Sequence, residues 1–266
     1  KNNKTITLSD KIGDLIVRLN YSEGCVLDKI IVKGNEVTGN GNCVYSGVRC
    51  GDKSFSSMNC TQAPLLTIKD NSVVVDSIKF GNTEFDVKER WVFRINRDDI
   101  QWKIERQYLN NGVVDEISFP CWQFNSIKTW DGAMLDNGGV AWTRFLDEPG
   151  DTYGANTAIL TFWNRSENSC LRIIPDENPE LYRTGTFCHQ KNHALSVVQS
   201  ISTEVKNTKY GLKRFLQTGQ NVFAPVTINK SNISVTYTLR SLTYNQEYNR
   251  GELKGINEES VNEMLN

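Results

Sequence analysis

An all-β architecture of large antiparallel sheets stacked in two layers, closed by a short C-terminal helix, is predicted by three observations. Apolar and β-branched residues recur with a period of two, turn signals rich in Gly and Asn separate the runs, and helical spacing is scarce before the last dozen residues. Residues 14–20 (DLIVRLN), 26–33 (VLDKIIVK) and 72–80 (SVVVDSIKF) are β-branched and bounded by Gly, Asn or Ser. From 90 the pattern sharpens into RWVFRINRDDIQWKIERQY. There Trp91, Phe93 and Ile95 alternate with polar residues, Arg97 to Asp99 turns the chain, and Ile100, Trp102 and Ile104 alternate again. This predicts a hairpin with one apolar face. Further strands are expected over 112–119, 139–145, 155–162, 170–174, 185–188, 194–204, 221–228 and 233–239, with turns at 39–41, 110–112 and 136–139. The total is roughly sixteen to eighteen strands, more than an immunoglobulin-type sandwich holds. Residues 209–216 (KYGLKRFL) fit either a turn or two of helix or a connecting loop. A boundary is expected near 249–254, dividing a β domain over 1–250 from 251–266, where Ile256, Val261, Met264 and Leu265 have helical spacing.

Composition narrows the function classes. The 266 residues suffice to bury a core without disulfide or metal staples. Thirty Lys and Arg against 31 Asp and Glu give a net charge of -1, and no basic stripe forms, so a nucleic-acid partner is not expected. Mean hydropathy is -0.45 and no run reaches the ~18 apolar residues of a spanning helix, so membrane insertion is not expected. The start, KNNKTITLSD, has neither Met nor a basic-then-apolar leader, as when a signal peptide has been removed, and the chain reads as cut from something longer.

The seven cysteines show no zinc-type spacing, and neither a metal nor a cofactor is expected. Cys43 and Cys50 flank VYSGVR, where they could face each other across a hairpin as a disulfide or serve as small buried apolar residues. Asn3, Asn20, Asn59, Asn164, Asn229 and Asn232 begin Asn-x-Ser/Thr triplets, which an Asn-rich chain also produces by chance.

The segment 24–37 (GCVLDKIIVKGNEV), the hairpin pattern from Arg90 and the strand total resemble the β-supersandwich, or galactose-mutarotase-like, domain at the front of many multidomain glycoside hydrolases and phosphorylases. The ending GINEESVNEMLN is similar to the opening of the linker helix that follows such domains. The resemblance implies an N-terminal accessory domain of a secreted or periplasmic carbohydrate-active enzyme. Mutarotases use a His acid, a Glu base and a second His from separate strands. Here the histidines are His189 and His193, in FCHQKNHAL, at one hairpin tip if Lys191 and Asn192 form its turn. None of the family's catalytic residues is therefore carried over.

Residue chemistry points to glycans independently. Residues 121–153 gather Trp122, Trp130, Trp142 and Tyr153 with Asp131, Asp136, Asp147, Glu148 and Asp151. A sugar ring wants a flat aromatic face and carboxylates that accept from adjacent hydroxyls. Trp142 reads as structural, whereas Trp130-Asp131-Gly132 reads as a surface loop. The expected carbohydrate-binding set is Trp122, Trp130, Asp131, Asp136, Asp147, Glu148 and Tyr153. A zinc site on His189 and His193 lacks the Glu of HExxH, and Cys188 beside His189 in a strand would point to the opposite face. The cluster Arg90, Arg94, Arg97, Lys103, Glu105 and Arg106 is expected to ion-pair across strands on a solvated or inter-domain face, with anion or uronic-acid binding as the alternative.

The expected role is a domain silent by itself, with the C-terminal catalytic domain of the same polypeptide and an oligo- or polysaccharide as partners. The alternatives are a free-standing glycoside hydrolase or epimerase using the loop carboxylates, and a carbohydrate-binding or adhesion module.

Overall fold

The computed structural model describes residues 4–134, 141–142, 152–155, 160–176, 182–188, 192–201, 213–215 and 223–249. Among these, the chain passes back and forth between two sheets. Strands β1 (Thr5–Ser9), β2 (Leu15–Asn20), β3 (Val26–Val32), β4 (Asn35–Thr38), β5 (Val44–Cys50) and β6 (Lys53–Ser56) begin the first sheet. β7 (Leu65–Lys69), β8 (Ser72–Gly81), β9 (Asp86–Ile95) and β10 (Ile100–Tyr108) begin the second. The short β11 (Gly112–Val114) leads into β12 (Glu116–Phe124) of the first sheet, and β13 (Gly132–Met134) and β14 (Ala141–Trp142) return to the second. β15 (Thr152–Ala155) belongs to the first sheet, β16 (Leu160–Asn164) and β17 (Ser169–Pro175) to the second, and β18 (Tyr182–Cys188), β19 (Leu195–Ile201) and β20 (Lys213–Phe215) to the first. β21 (Val226–Ile228) pairs with β11, β22 (Ser231–Leu242) completes the second sheet, and α1 (Tyr244–Asn249) follows. Among the described residues the large sheets have 11 and nine strands, and every strand pair is antiparallel.

Alternation decides which side chains meet between the sheets. On β10, Ile100, Trp102 and Ile104 point inward, and on β9, Val87, Trp91 and Phe93 do so. They meet Trp122 from the first sheet, whose ring lies edge-on to Trp102 at 5.9 Å and to Tyr237 at 6.5 Å. The expected hairpin is present, with Ile95 opposite Ile100 and Asn96 N–H donating to Asp99 O at 3.0 Å.

The structure corrects several expectations. Cys43 and Cys50 do not face each other: Cys43 immediately precedes β5 and Cys50 ends it, so seven residues of strand at ~3.3 Å each hold them too far apart for a disulfide. Cys25, Cys43, Cys50, Cys60 and Cys121 are free thiols. The run 112–119 is two strands, broken at Asp115, whose carboxylate accepts from Gly51 N–H at 2.6 Å. In 209–216, the described residues Lys213–Phe215 form strand β20 beside β15 rather than helix. Cys188 of β18 pairs with Leu195 of β19, and the expected turn at Lys191 and Asn192 falls partly outside the described residues, since 189–191 are not among them. The helix α1 lies ahead of the expected one, which falls outside the described residues. It begins on a capping box in which Gln246 N–H donates to Thr243 Oγ1 at 3.1 Å and Thr243 N–H to Gln246 Oε1 at 2.8 Å.

Candidate functional site

The outer face of the first sheet collects ionisable groups whose properties the fold alters. On β5, Val44, Ser46 and Val48 point inward, which leaves Tyr45, Gly47 and Arg49 on the outer side. The adjacent β12 pairs Glu116 with Arg49 and Cys121 with Tyr45. Between those pairs Phe119 and Pro120, joined by a cis peptide bond, oppose the single residue Ser46. This bulge keeps Glu116 and Cys121 on one face although they are five positions apart. The result is a patch of Arg49, Glu116, Tyr45 and Cys121, extended by Gln123, whose Oε1 accepts from Cys43 N–H at 3.2 Å.

Electrostatics follow from partial enclosure. Arg49 Nη2 lies 3.6 Å from Glu116 Oε2, and Ser118 Oγ donates to Glu116 Oε1 at 3.5 Å. Burial nevertheless raises the Glu116 carboxyl, with Arg49 and Ser118 opposing the shift. The Cys121 thiol is pushed up to about 12 by burial, against a hydrogen bond from Tyr45. Tyr45 rises well above its ordinary value through the charge of a Cys121 thiolate, then through burial. At neutral pH both stay neutral. A protonated, buried thiol is no nucleophile. The face therefore offers a guanidinium and a phenol as donors and a carboxyl and a carboxamide as acceptors, with the Cys121 thiol buried beneath them, a set suited to ligand hydroxyls.

The residues expected from sequence lie elsewhere. Trp122 is fully buried between the sheets, and its Nε1 donates to Gln199 Oε1 at 2.8 Å. Trp130, expected at the surface, is 5% exposed because Phe162 stacks on its ring at 5.7 Å and Phe124 meets it edge-on at 5.6 Å. Asp131 is exposed, but its carboxylate accepts from Arg165 N–H, in the turn between β16 and β17, at 2.6 Å. Tyr153 lies on β15, where only the backbone is described, and Asp136, Asp147, Glu148 and His189 lie outside the described residues. His193 is exposed beyond the end of β18 with a φ of 54°. Among the described residues no cluster of His, Cys, Asp and Glu could hold a metal ion.

The Arg/Glu cluster divides. Arg90 pairs with Glu105 at 2.9 Å and with Asp76 at 3.1 Å, and Lys103 with Glu105 at 2.8 Å, all on the outer face of the second sheet. Arg106, expected beside them, is buried between the sheets, since it continues the inward set Ile100, Trp102, Ile104. Its Nε donates to Glu89 Oε1 at 2.5 Å.

The solved structures most similar in shape include a candidate aldose 1-epimerase from Escherichia coli K12, with a TM-score of 0.56 at 8% identity, covering 90% of this chain and 99% of that one. A galactose mutarotase-like protein from Clostridium acetobutylicum gives 0.52 at 9% identity, covering 91% and 96%. The chain has the galactose mutarotase-like fold. This mutarotase-like fold also matches 47% of a TPR-domain containing protein from Parabacteroides distasonis, with 90% of the present chain covered, a TM-score of 0.50 and 8% identity. No family model matches the sequence, and no curated protein matches it. Sequence reasoning missed Tyr45, Arg49 and Glu116. The signal was the odd-numbered set in VYSGVRC, masked by Ser46 and Gly47 where a strand usually shows branched residues.

Proposed function

We propose that this mutarotase-like chain is a carbohydrate-binding accessory domain of a glycoside hydrolase, with a sugar held on the outer face of the first sheet by Arg49, Tyr45, Glu116 and Gln123. The observation that carries this reading is the pairing of Glu116 with Arg49 and Cys121 with Tyr45, which sets donors and acceptors for hydroxyls side by side on rigid strands. The described part of this face holds no histidine, and its thiol stays protonated, so turnover by the domain alone is not expected. The accessory role calls for a catalytic domain on the same polypeptide and a secreted or periplasmic location. A natural reading frame that stops at residue 266 would remove that part.

The test is calorimetric titration with galactose, glucose and their oligosaccharides. Arg49→Met is expected to weaken binding about tenfold, the scale of one charge-assisted hydrogen bond. Unchanged affinity in that variant would reject the site. A second reading, aldose epimerisation by a free-standing protein, is favoured by the 99% and 96% coverage of those two neighbouring chains and by the raised Glu116 carboxyl. Polarimetry of fresh α-anomer decides between them. The accessory reading expects the buffer rate, whereas an acceleration abolished by Glu116→Gln establishes the epimerase.

A further inference from the structure

We propose a second binding site, for a saccharide bearing uronic acids, on the outer face of the second sheet. A groove of about 480 Å³ lies there, lined by Asp76, Lys88, Arg90, Glu105, Gln107 and Asn232 on β8, β9, β10 and β22. The registers arrange these side chains in two rows. Gln107 stands opposite Lys88 on one side and Asn232 on the other, and Glu105 stands opposite Arg90 and Ser234. Neighbours in a row are therefore ~4.8 Å apart, the spacing of adjacent strands. A bulge at Asp76 and Ser77, which together oppose Arg90, aims Asp76 at the end of the second row.

The two rows differ in how their groups are satisfied. In the second, Arg90 bridges Asp76 and Glu105, and Lys103 holds Glu105 from the side. Partial burial would raise the Glu105 carboxyl, but hydrogen bonds from Lys103 and Arg90 outweigh it and keep the group below its ordinary value. It is a fixed, ionised acceptor. In the first row Lys88, Gln107 and Asn232 are exposed and have no side-chain hydrogen bond or ion pair among the described residues. Two carboxylates, Asp76 and Glu105, face three cations, Arg90, Lys103 and Lys88, so the positive charge left over sits on Lys88. One apolar residue, Ile233, joins the lining.

These features define the ligand chemistry. A ligand carboxylate takes the Lys88 ammonium and the Gln107 amide, while Asn232, Glu105 and Asp76 read hydroxyls on either side. An uncharged glycan would leave Lys88 unused, and a bare anion would make no use of the acceptor oxygens that Asp76 and Glu105 present beside it.

The experiment is electrophoresis of the full chain through gels containing polygalacturonate or neutral galactan. The expected result is retardation by polygalacturonate that weakens as salt is added. Lys88→Gln and Asn232→Ala, both exposed on regular strands, are each expected to lower that affinity about tenfold with unchanged thermal unfolding. Arg49→Met, which acts on the first sheet, should still be retarded, so the two sites succeed or fail separately. Equal retardation by neutral galactan, no retardation by polygalacturonate, or full retardation of Lys88→Gln would each overturn the proposal.

Discussion

Arg106 shows how one residue can depend on the whole interior. Its side chain has no exposure and reaches Glu89 Oε1 at 2.5 Å, Ser46 Oγ at 2.5 Å, Ser118 O at 3.0 Å and Tyr108 OH at 3.1 Å. Glu89 also accepts from Ser46 Oγ at 2.7 Å and, through its other oxygen, from Trp91 Nε1 at 2.8 Å. Because Ser46 and Ser118 belong to the first sheet and Arg106 and Glu89 to the second, the network ties the layers together. Removing one partner leaves a buried charge uncompensated. Arg106→Met should therefore cost about 3 to 5 kcal/mol, with Glu89→Gln added to it restoring part of the loss, as read by urea unfolding. Glu116 gives a pH signature of opposite kind. Its carboxyl is raised in the fold, so the folded state holds the proton more tightly than the unfolded chain between the ordinary glutamate value and the raised one. Stability from this group is thus present below that window and is lost as pH rises through it. The melting temperature should fall across the window in the native chain, and Glu116→Gln should flatten that slope. A rise with pH that survives the substitution would contradict the assignment. Arg106 was legible in its register, two positions beyond Ile104. It was misread because a charge was assumed to face water.

At the scale of elements, bulges matter more than strand number. On β8, Val75 opposes Trp91 and Ile78 opposes Glu89, so Asp76 and Ser77 share one partner position, with Ser77 at a φ of 64°. That left-handed conformation strains any residue with a Cβ, and glycine removes the strain. Ser77→Gly should gain about 0.5 to 1 kcal/mol, with Ser77→Val losing more than that, measured as shifts in denaturation midpoint. The bulge also sets the second half of β8 in phase, so Ile78 and Phe80 return to the core. Strands with strict alternation, such as β9 and β10, were readable because burial on one face imposes it. β5 and β6 were not, since Ser46, Gly47 and Ser54 carry little pattern, and the place of Gly47 is explained by approach: a Cβ there would lie 2.8 Å from Phe55 O.

At the scale of the molecule, the two sheets, of 11 and nine strands among the described residues, close on a shared aromatic core. Trp102 lies edge-on to Trp91 at 4.8 Å and stacks on Phe93 at 5.7 Å, and Trp122 from the other layer completes the contact. The same closure removes Trp122 and Trp130 from the solvent. Aromatic residues near carboxylates in sequence are what a sugar site needs, but the same rings contribute most when buried, and only the packing shows which use they serve. By itself the sequence determined the all-β class, the antiparallel hairpin at 91–104 and the resemblance to mutarotase-like domains, because local alternation and turn chemistry act over a few residues. Tertiary structure alone decided which strands became neighbours. It thereby brought Arg49 to Glu116 and Tyr45 to Cys121, and set Lys88, Gln107 and Asn232 in one row. Those pairings join positions far apart in the chain, and their register depends on bulges and on burial summed over both sheets, which no local pattern records.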